Sequence, residues 1–384
     1  MGKEKLDLLI KNVMIVNGRQ GTVEKGCVAV AGGRIAAYDP ATEYLVGDEI
    51  DGNGYYLSPG WIDSHTHIFT GVTEPGFAAD LGLIPMGVTT AIDGGSAGVA
   101  TWPVFKQKIV DSTYLNVFYS LNVSPAGQIT ERYPENVDPA HYDVSMLRRI
   151  METDSQHARG LKLRYGAEVV AGIDDDVLGK TLELAEELQC AITIHVTNPP
   201  CPMEDILERL RPGDVVCHAY QGKGSTIIDE HGHVKEAAMT ARRRGVRFDS
   251  ADARINHSYR VIKQALAEGF IPDIISTDMT KNGIFNNMCW GLPVVLSKWF
   301  NLGLSLPEVI AACTCNPAAI HHLPDGIGTL DIGAAANLTV FSVEERPFHL
   351  RNRLGEDFTG KQMLIPQVTI INGNVRFKNL YFPF

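Results

Sequence analysis

A chain of 384 residues with 45% hydrophobic and 21% charged side chains has the balance of an ordinary folded globular protein, which excludes collagen-like, coiled-coil and disordered classes. At roughly 100–200 residues per domain it would hold two or three domains, unless one is an α/β barrel, which uses about 250 residues by itself. The net charge of −11 argues against a nucleic-acid or anionic-membrane surface, and the short run Arg242-Arg243-Arg244 reads as a solvated helix face.

The opening Met1 to Asp7 lacks the basic, apolar and small-residue regions of a signal peptide, and no apolar run reaches the roughly 18 residues of a membrane span. Seven scattered cysteines without a CxxC pair read as reduced thiols rather than a disulfide framework. A cytoplasmic location without membrane association is expected, with homo-oligomerisation left open.

In chain order, 7–17 and 27–37 are β-rich runs parted by glycine-containing turns. From about residue 58 short apolar runs alternate with helical periods, the pattern of βαβ units. Eight candidate strands follow: Trp61–His67, Thr89–Asp93, Asn116–Val123, Gly160–Arg164, Ala191–His195, Asp214–His218, Val246–Asp249 and Ile274–Asp278. Helical stripes fill the gaps, such as Leu178, Leu182, Ala185 and Leu188. Runs 336–341 and 368–375 return to β texture, the second broken by Asn372-Gly373-Asn374. The predicted fold is α/β: a (β/α)8 TIM-like barrel over 59–329 with a small β-sandwich domain built from both chain ends, 1–58 plus 330–384.

In a parallel barrel the strand C-termini share one rim. His65 and His67 are two apart at the end of the first strand, so period-2 geometry points them the same way. Lys162, His195, His218 and Asp278 each end, or nearly end, an apolar run. Taken singly, each has a structural reading as a satisfied polar residue, an ordinary cation or a helix cap. Together on one rim they point to metal ligation, because imidazole and carboxylate are ligand types that zinc accepts. No cysteine is among them, unlike closed structural zinc sites.

Pro59-Gly60-Trp61-Ile62-Asp63-Ser64-His65-Thr66-His67, Gly87-Val88-Thr89-Thr90, the Lys162 strand, His195, His218, Ser276-Thr277-Asp278, Thr314 to Ala318 and Gly328 to Gly333 resemble the amidohydrolase superfamily across essentially the whole chain. Within it, Gly160 to Arg164, His218 to Lys223 and Arg247 to Asp249 are similar to the dihydroorotase-like amidohydrolase/deacetylase branch. The resemblance implies two divalent metal ions, zinc above all. His65, His67 and Asp278 would hold the more buried ion, His195 and His218 the more exposed one, and a carboxylated Lys162 would bridge them. It also implies a metal-bridging hydroxide that cleaves an amide or ester bond of a small carboxylate-bearing substrate, with Asp278 carrying the proton. The alternative is a cyclic amidohydrolase of dihydroorotase or hydantoinase type, and a more distant one is an inactive binding protein on the same fold. The loop Ser250-Ala-Asp-Ala-Arg254 departs from the Gly/His-rich loop frequent in this branch, which leaves the substrate open.

For substrate binding, Arg164 shares a face with Lys162 and could hold a carboxylate or pair with a rim carboxylate. Tyr220, Lys223, Arg254 and Asn282 on rim loops are further candidates, with Asp252 and His257 weaker ones. His231, His233, His321 and His322 read as solvent-facing or packing residues. Alternation should turn Cys217 away from the site.

Overall fold

A computed structural model describes residues 5–39, 45–253, 255–285, 291–324 and 326–382. The chain opens with strands β1 (Lys5–Asn17), β2 (Thr22–Ala31), β3 (Arg34–Tyr38), β4 (Leu45–Asp51) and β5 (Tyr56–Pro59). It continues through β6 (Trp61–Thr66), β7 (Val88–Asp93), β8 (Asn116–Asn122), β9 (Ala158–Arg164), β10 (Ile192–His195), β11 (Val215–Cys217) and β12 (Arg247–Asp249), with helices between most of them, and ends with β13 (Leu338–Arg351), β14 (Asp357–Ile371) and β15 (Asn374–Lys378).

Both chain ends meet in one eight-stranded sheet, ordered β15-β14-β13-β5-β1-β2-β3, with β4 also paired to β1. The alternation in β1 buries Leu6, Leu8 and Ile10, then slips at Asn12, whose φ of 59° makes a bulge before burial resumes at Val13. Leu8, Ile10, Val28 and Leu57 share an apolar cluster with Leu338, Val340, Val368 and Ile370, so neither end can complete this core without the other.

β6 to β12 form a seven-stranded sheet in sequence order, every neighbouring pair parallel. β6, β7, β10 and β11 are buried at every position, as a parallel sheet covered by helices requires. The eighth predicted strand, Ile274–Asp278, is not a strand. It still spans the two edges of the curled sheet through isolated parallel bridges, Asp249 to Ile274 on one side and Thr66 to Met279 on the other. It keeps some backbone bonds to its neighbours, Ile274 N donating to Phe248 O at 3.3 Å and Ser250 N to Ile274 O at 3.0 Å, but other donors leave the ladder: Thr277 N donates to Asp63 Oδ1 at 3.1 Å, Met279 N to Thr277 Oγ1 at 3.0 Å, and Ile275 N to Ala312 O at 2.9 Å. These partners off the ladder interrupt regular pairing. Among the described residues no helix is long and apolar enough to cross a membrane.

Candidate metal centre

The strand ends bring His65, His67, Lys162, His195, His218 and Asp278 onto one cavity of about 190 Å³. His67 Nε2 lies 3.1 Å from Asp278 Oδ1, and His65 Nε2 lies 3.8 Å from the same oxygen. Lys162 Nζ is 3.1 Å from His65 Nε2. The His195 and His218 rings stand edge to face with centroids 4.5 Å apart, and His65 is 5.1 Å from His218. Donor atoms of His65, His67 and Asp278 lie within 4.8 Å of one another, as do those of His65, Cys217 and His218.

Glycines make this crowding possible. A Cβ on Gly94 would sit 2.5 Å from the His65 ring, and one on Gly95, at φ 91°, 2.5 Å from Lys162 Cγ. The pair after β7 is therefore part of the site, and Gly94-Gly95 behind an apolar strand is the signal that sequence reasoning passed over.

The hydrogen bonds fix which imidazole nitrogens face the cavity. Ala251 O can only accept, so the 2.9 Å contact makes His218 Nδ1 the donor and leaves Nε2 with its lone pair. Ser96 Oγ donates to Asp93 Oδ2 at 2.8 Å, so it accepts from His67 Nδ1 at 2.9 Å. His67 Nε2 then faces Asp278 Oδ1 across 3.1 Å, an imidazole nitrogen and a carboxylate oxygen that one cation could bind together. Burial holds the His65 and His195 rings well below the ordinary imidazole range and pushes His218 down to about 4, so all three are in the neutral form that ligates. Neutral imidazoles oriented by a second layer of hydrogen bonds, beside a carboxylate, are a donor set that fits divalent metal.

A profile of the amidohydrolase family matches residues 56–376. The chain belongs to the amidohydrolase family. As such it is a hydrolase acting on C–N bonds. It is 30% identical over 382 residues to a deacetylase of Agrobacterium fabrum, an alignment covering 98% of this chain and 93% of that protein. Among solved structures, one of an adenine deaminase is similar with a TM-score of 0.89 and 28% identity over 97% of this chain and 100% of that one. One of a dihydroorotase has a TM-score of 0.83 and 27% identity, over 96% and 97% respectively.

The rim of this amidohydrolase differs from its sequence reading in several places. His218 has φ 61°, and this left-handed residue ends the alternation of β11. Cys217, still within β11, faces inward, its Sγ 3.2 Å from Lys162 Nζ, rather than into the barrel wall, and the turn at His218 brings the next side chain in beside it. Tyr220 turns the other way: it is fully buried against Trp299 and donates to Phe270 O, off the cavity. Lys223 is exposed and also off the cavity, while Arg254 lies outside the described residues. Asn282 reaches the site indirectly, donating to Glu131 Oε2 at 2.7 Å. Arg164 lines the cavity and is ion-paired with buried Glu135 at 2.8 Å, the rim-carboxylate alternative. His231 and His233 are exposed, as is His322, whereas His321 is buried.

Asn256 is the residue that sequence reading missed most directly. It lines the cavity, donates from Nδ2 to Asp278 Oδ2 at 2.8 Å and accepts from Thr197 Oγ1 at 2.9 Å. The loop that carries it also supplies the Ala251 carbonyl to His218, and it is anchored from behind by Asp252. That carboxylate accepts from Lys298 Nζ and from Trp299 Nε1, with both ionic side chains fully buried, so Asp252 serves the loop and does not touch the cavity. His257 is likewise buried off the cavity, against Tyr259. Lys298→Met should strand the Asp252 charge and destabilise the fold by about 3–5 kcal/mol. Denaturant unfolding checks this, and a loss below about 1 kcal/mol would mean that the carboxylate finds another partner.

Proposed function

We propose that the protein is a binuclear metal-dependent hydrolase that removes an acyl group, as a deacetylase does, from a small carboxylate-bearing substrate. The observation that carries this reading is the donor set: imidazoles at the ends of β6, β10 and β11, those of His67 and His218 oriented by hydrogen bonds, lining one small cavity with Lys162 and Asp278. Full-length similarity to a deacetylase supports the reaction type. His65, His67 and Asp278 would hold one ion, His195 and His218 the second, and Lys162, as its carbamate, would join them; zinc suits these ligands. Carboxylation also removes a buried ammonium whose hydrogen bonds run only to His65 and Cys217 among the described residues. Bound ions would supply Lewis acidity, acidifying the attacking water and polarising the acyl carbonyl.

The protein's own groups do the rest. Asp278 takes a proton from the water as its oxygen adds to the acyl carbon, and returns that proton to the leaving nitrogen or oxygen as the bond to carbon breaks. Asn256 pins Oδ2 of that carboxylate and so fixes its orientation in the cavity. We carry forward with this reading the closure of the seven strands by 274–279 into a (β/α)8 barrel over 59–329. The same holds for the division that assigns 1–58 plus 330–384 to a β-sandwich domain, and for a cytoplasmic location.

The resemblance to a dihydroorotase structure favours ring-opening of a cyclic amide as the second reading. Elemental analysis and a substrate panel decide between them. We expect two metal ions per chain and turnover of N- or O-acetylated small acids. One ion or fewer per chain would remove the binuclear centre. Turnover confined to dihydroorotate and hydantoins would move the assignment to the second reading, and turnover confined to adenine would displace both.

A further inference from the structure

The far end of the chain reaches the cavity. β13 and β14 run on as a long ribbon, paired as far as Arg351 with Asp357, and the turn between them is clamped to the helix Tyr259–Ala267. Glu356 accepts from Ser258 Oγ at 2.8 Å and from Tyr259 N at 2.6 Å, while Asn352 Nδ2 donates to His257 O at 3.1 Å. Inside the turn, Leu354 N and Glu356 N both donate to Asn352 Oδ1. A turn tied at both shoulders holds the intervening Arg353, whose side chain lines the same cavity as the proposed ligands.

The second guanidinium in that cavity, Arg164, is committed. Its partner Glu135 has a side chain only 2% exposed, so the two charges cancel in a buried pair whose disruption would leave Glu135 stranded. Two further carboxylates line the cavity, Glu131 and Glu168, each accepting from an asparagine, Asn282 at 2.7 Å and Asn198 at 3.3 Å. Asn198 brings no positive charge to Glu168, and among the described residues no cation pairs with it, so that carboxylate repels a substrate anion.

We propose that Arg353 is the residue that binds the substrate's carboxylate, making the β13–β14 turn the specificity element of this hydrolase and Arg164 a wall residue. This rests on the reading of the substrate as a carboxylate-bearing acyl compound. A guanidinium has five N–H donors in a planar fork, so one edge can contact protein while another takes a carboxylate bidentately.

The test compares wild type, Arg353→Met and Arg353→Lys on an O-acetylated hydroxy acid and on its neutral amide, with thermal melting as the folding check. Arg353→Met should raise KM for the acid by about 10- to 100-fold with kcat little changed, leave the neutral amide within about threefold, and be partly rescued by lysine. Equal losses on both substrates, or no loss on the acid, would overturn the proposal. Calorimetric titration with the free hydroxy acid reads the same contact without turnover. If wild type hydrolyses neither substrate, the acyl-hydrolase reading fails, while hydroxy-acid binding that weakens about 10- to 100-fold in Arg353→Met still supports the assignment of Arg353. Equal affinity in both proteins, or none in wild type, would sink it.

Discussion

Replacing Lys162 with alanine is expected to abolish turnover, and millimolar short carboxylic acids are expected to restore part of it. Lys162 sits 1% exposed at the centre of the histidine cluster, against His65 Nε2 and Cys217 Sγ. A buried lysine with no carboxylate hydrogen-bonded to its amine is a rare arrangement, because burial penalises the charged form. Converting it to a carbamate replaces a cation with two anionic oxygens of the kind that hard and borderline metals accept. Alanine removes those oxygens and opens a gap that a carboxylate of the size of acetate or propionate could enter. Two measurements check the argument: activity against added carboxylate, and metal content of the variant before and after addition. A Lys162→Ala enzyme that keeps full activity without any additive would show that the lysine is merely a packed wall residue. Mass spectrometry or electron density that shows an unmodified amine in active, metal-loaded wild type would remove the carbamate.

Asp278→Asn is the second change with a large expected effect. The carboxylate is held at both oxygens, Oδ1 lying 3.1 Å from His67 Nε2 and Oδ2 accepting from Asn256 Nδ2 at 2.8 Å. A buried carboxylate placed in this way is the group positioned to carry the proton. The residue has φ 51°, a left-handed conformation that asparagine tolerates and alanine does not, so the amide tests the chemistry without adding backbone strain. The amide oxygen can still accept from Asn256 Nδ2 in place of Oδ2. Metal content should be largely retained, while kcat falls by about 10²- to 10⁴-fold, the usual range for a general acid–base group. Near-normal turnover would assign the proton transfers to another residue.

Much of this site was legible in the sequence, for a definite reason. A parallel strand buried on both faces is an apolar run, so a histidine, lysine or aspartate at its C-terminal end stands out. The rule that strand ends share a rim then collects residues spread from His65 to Asp278 into one place. The β texture of both chain ends was also legible: period-2 burial marks β1, and the returning β13 begins as the wholly buried run Leu338 to Ser342.

What only the tertiary structure decided lies where local rules end. Alternation predicted that Cys217 would face away from His218, and the positive φ at His218, imposed at the strand's end, put both inside. The segment 274–278 reads as a strand, yet Thr277 N goes to the Asp63 carboxylate and Ile275 N to Ala312, partners that are within reach only once the sheet has curled. Arg164 and Glu135 are 29 positions apart with no pattern between them, so their pairing could not be read from either residue. Arg353 is the extreme case: a guanidinium in an ordinary-looking turn near the C-terminus carries no local signal of function. It reaches the cavity because Glu356 fastens that turn to a helix 97 residues earlier in the chain, a contact set by packing rather than by sequence neighbourhood.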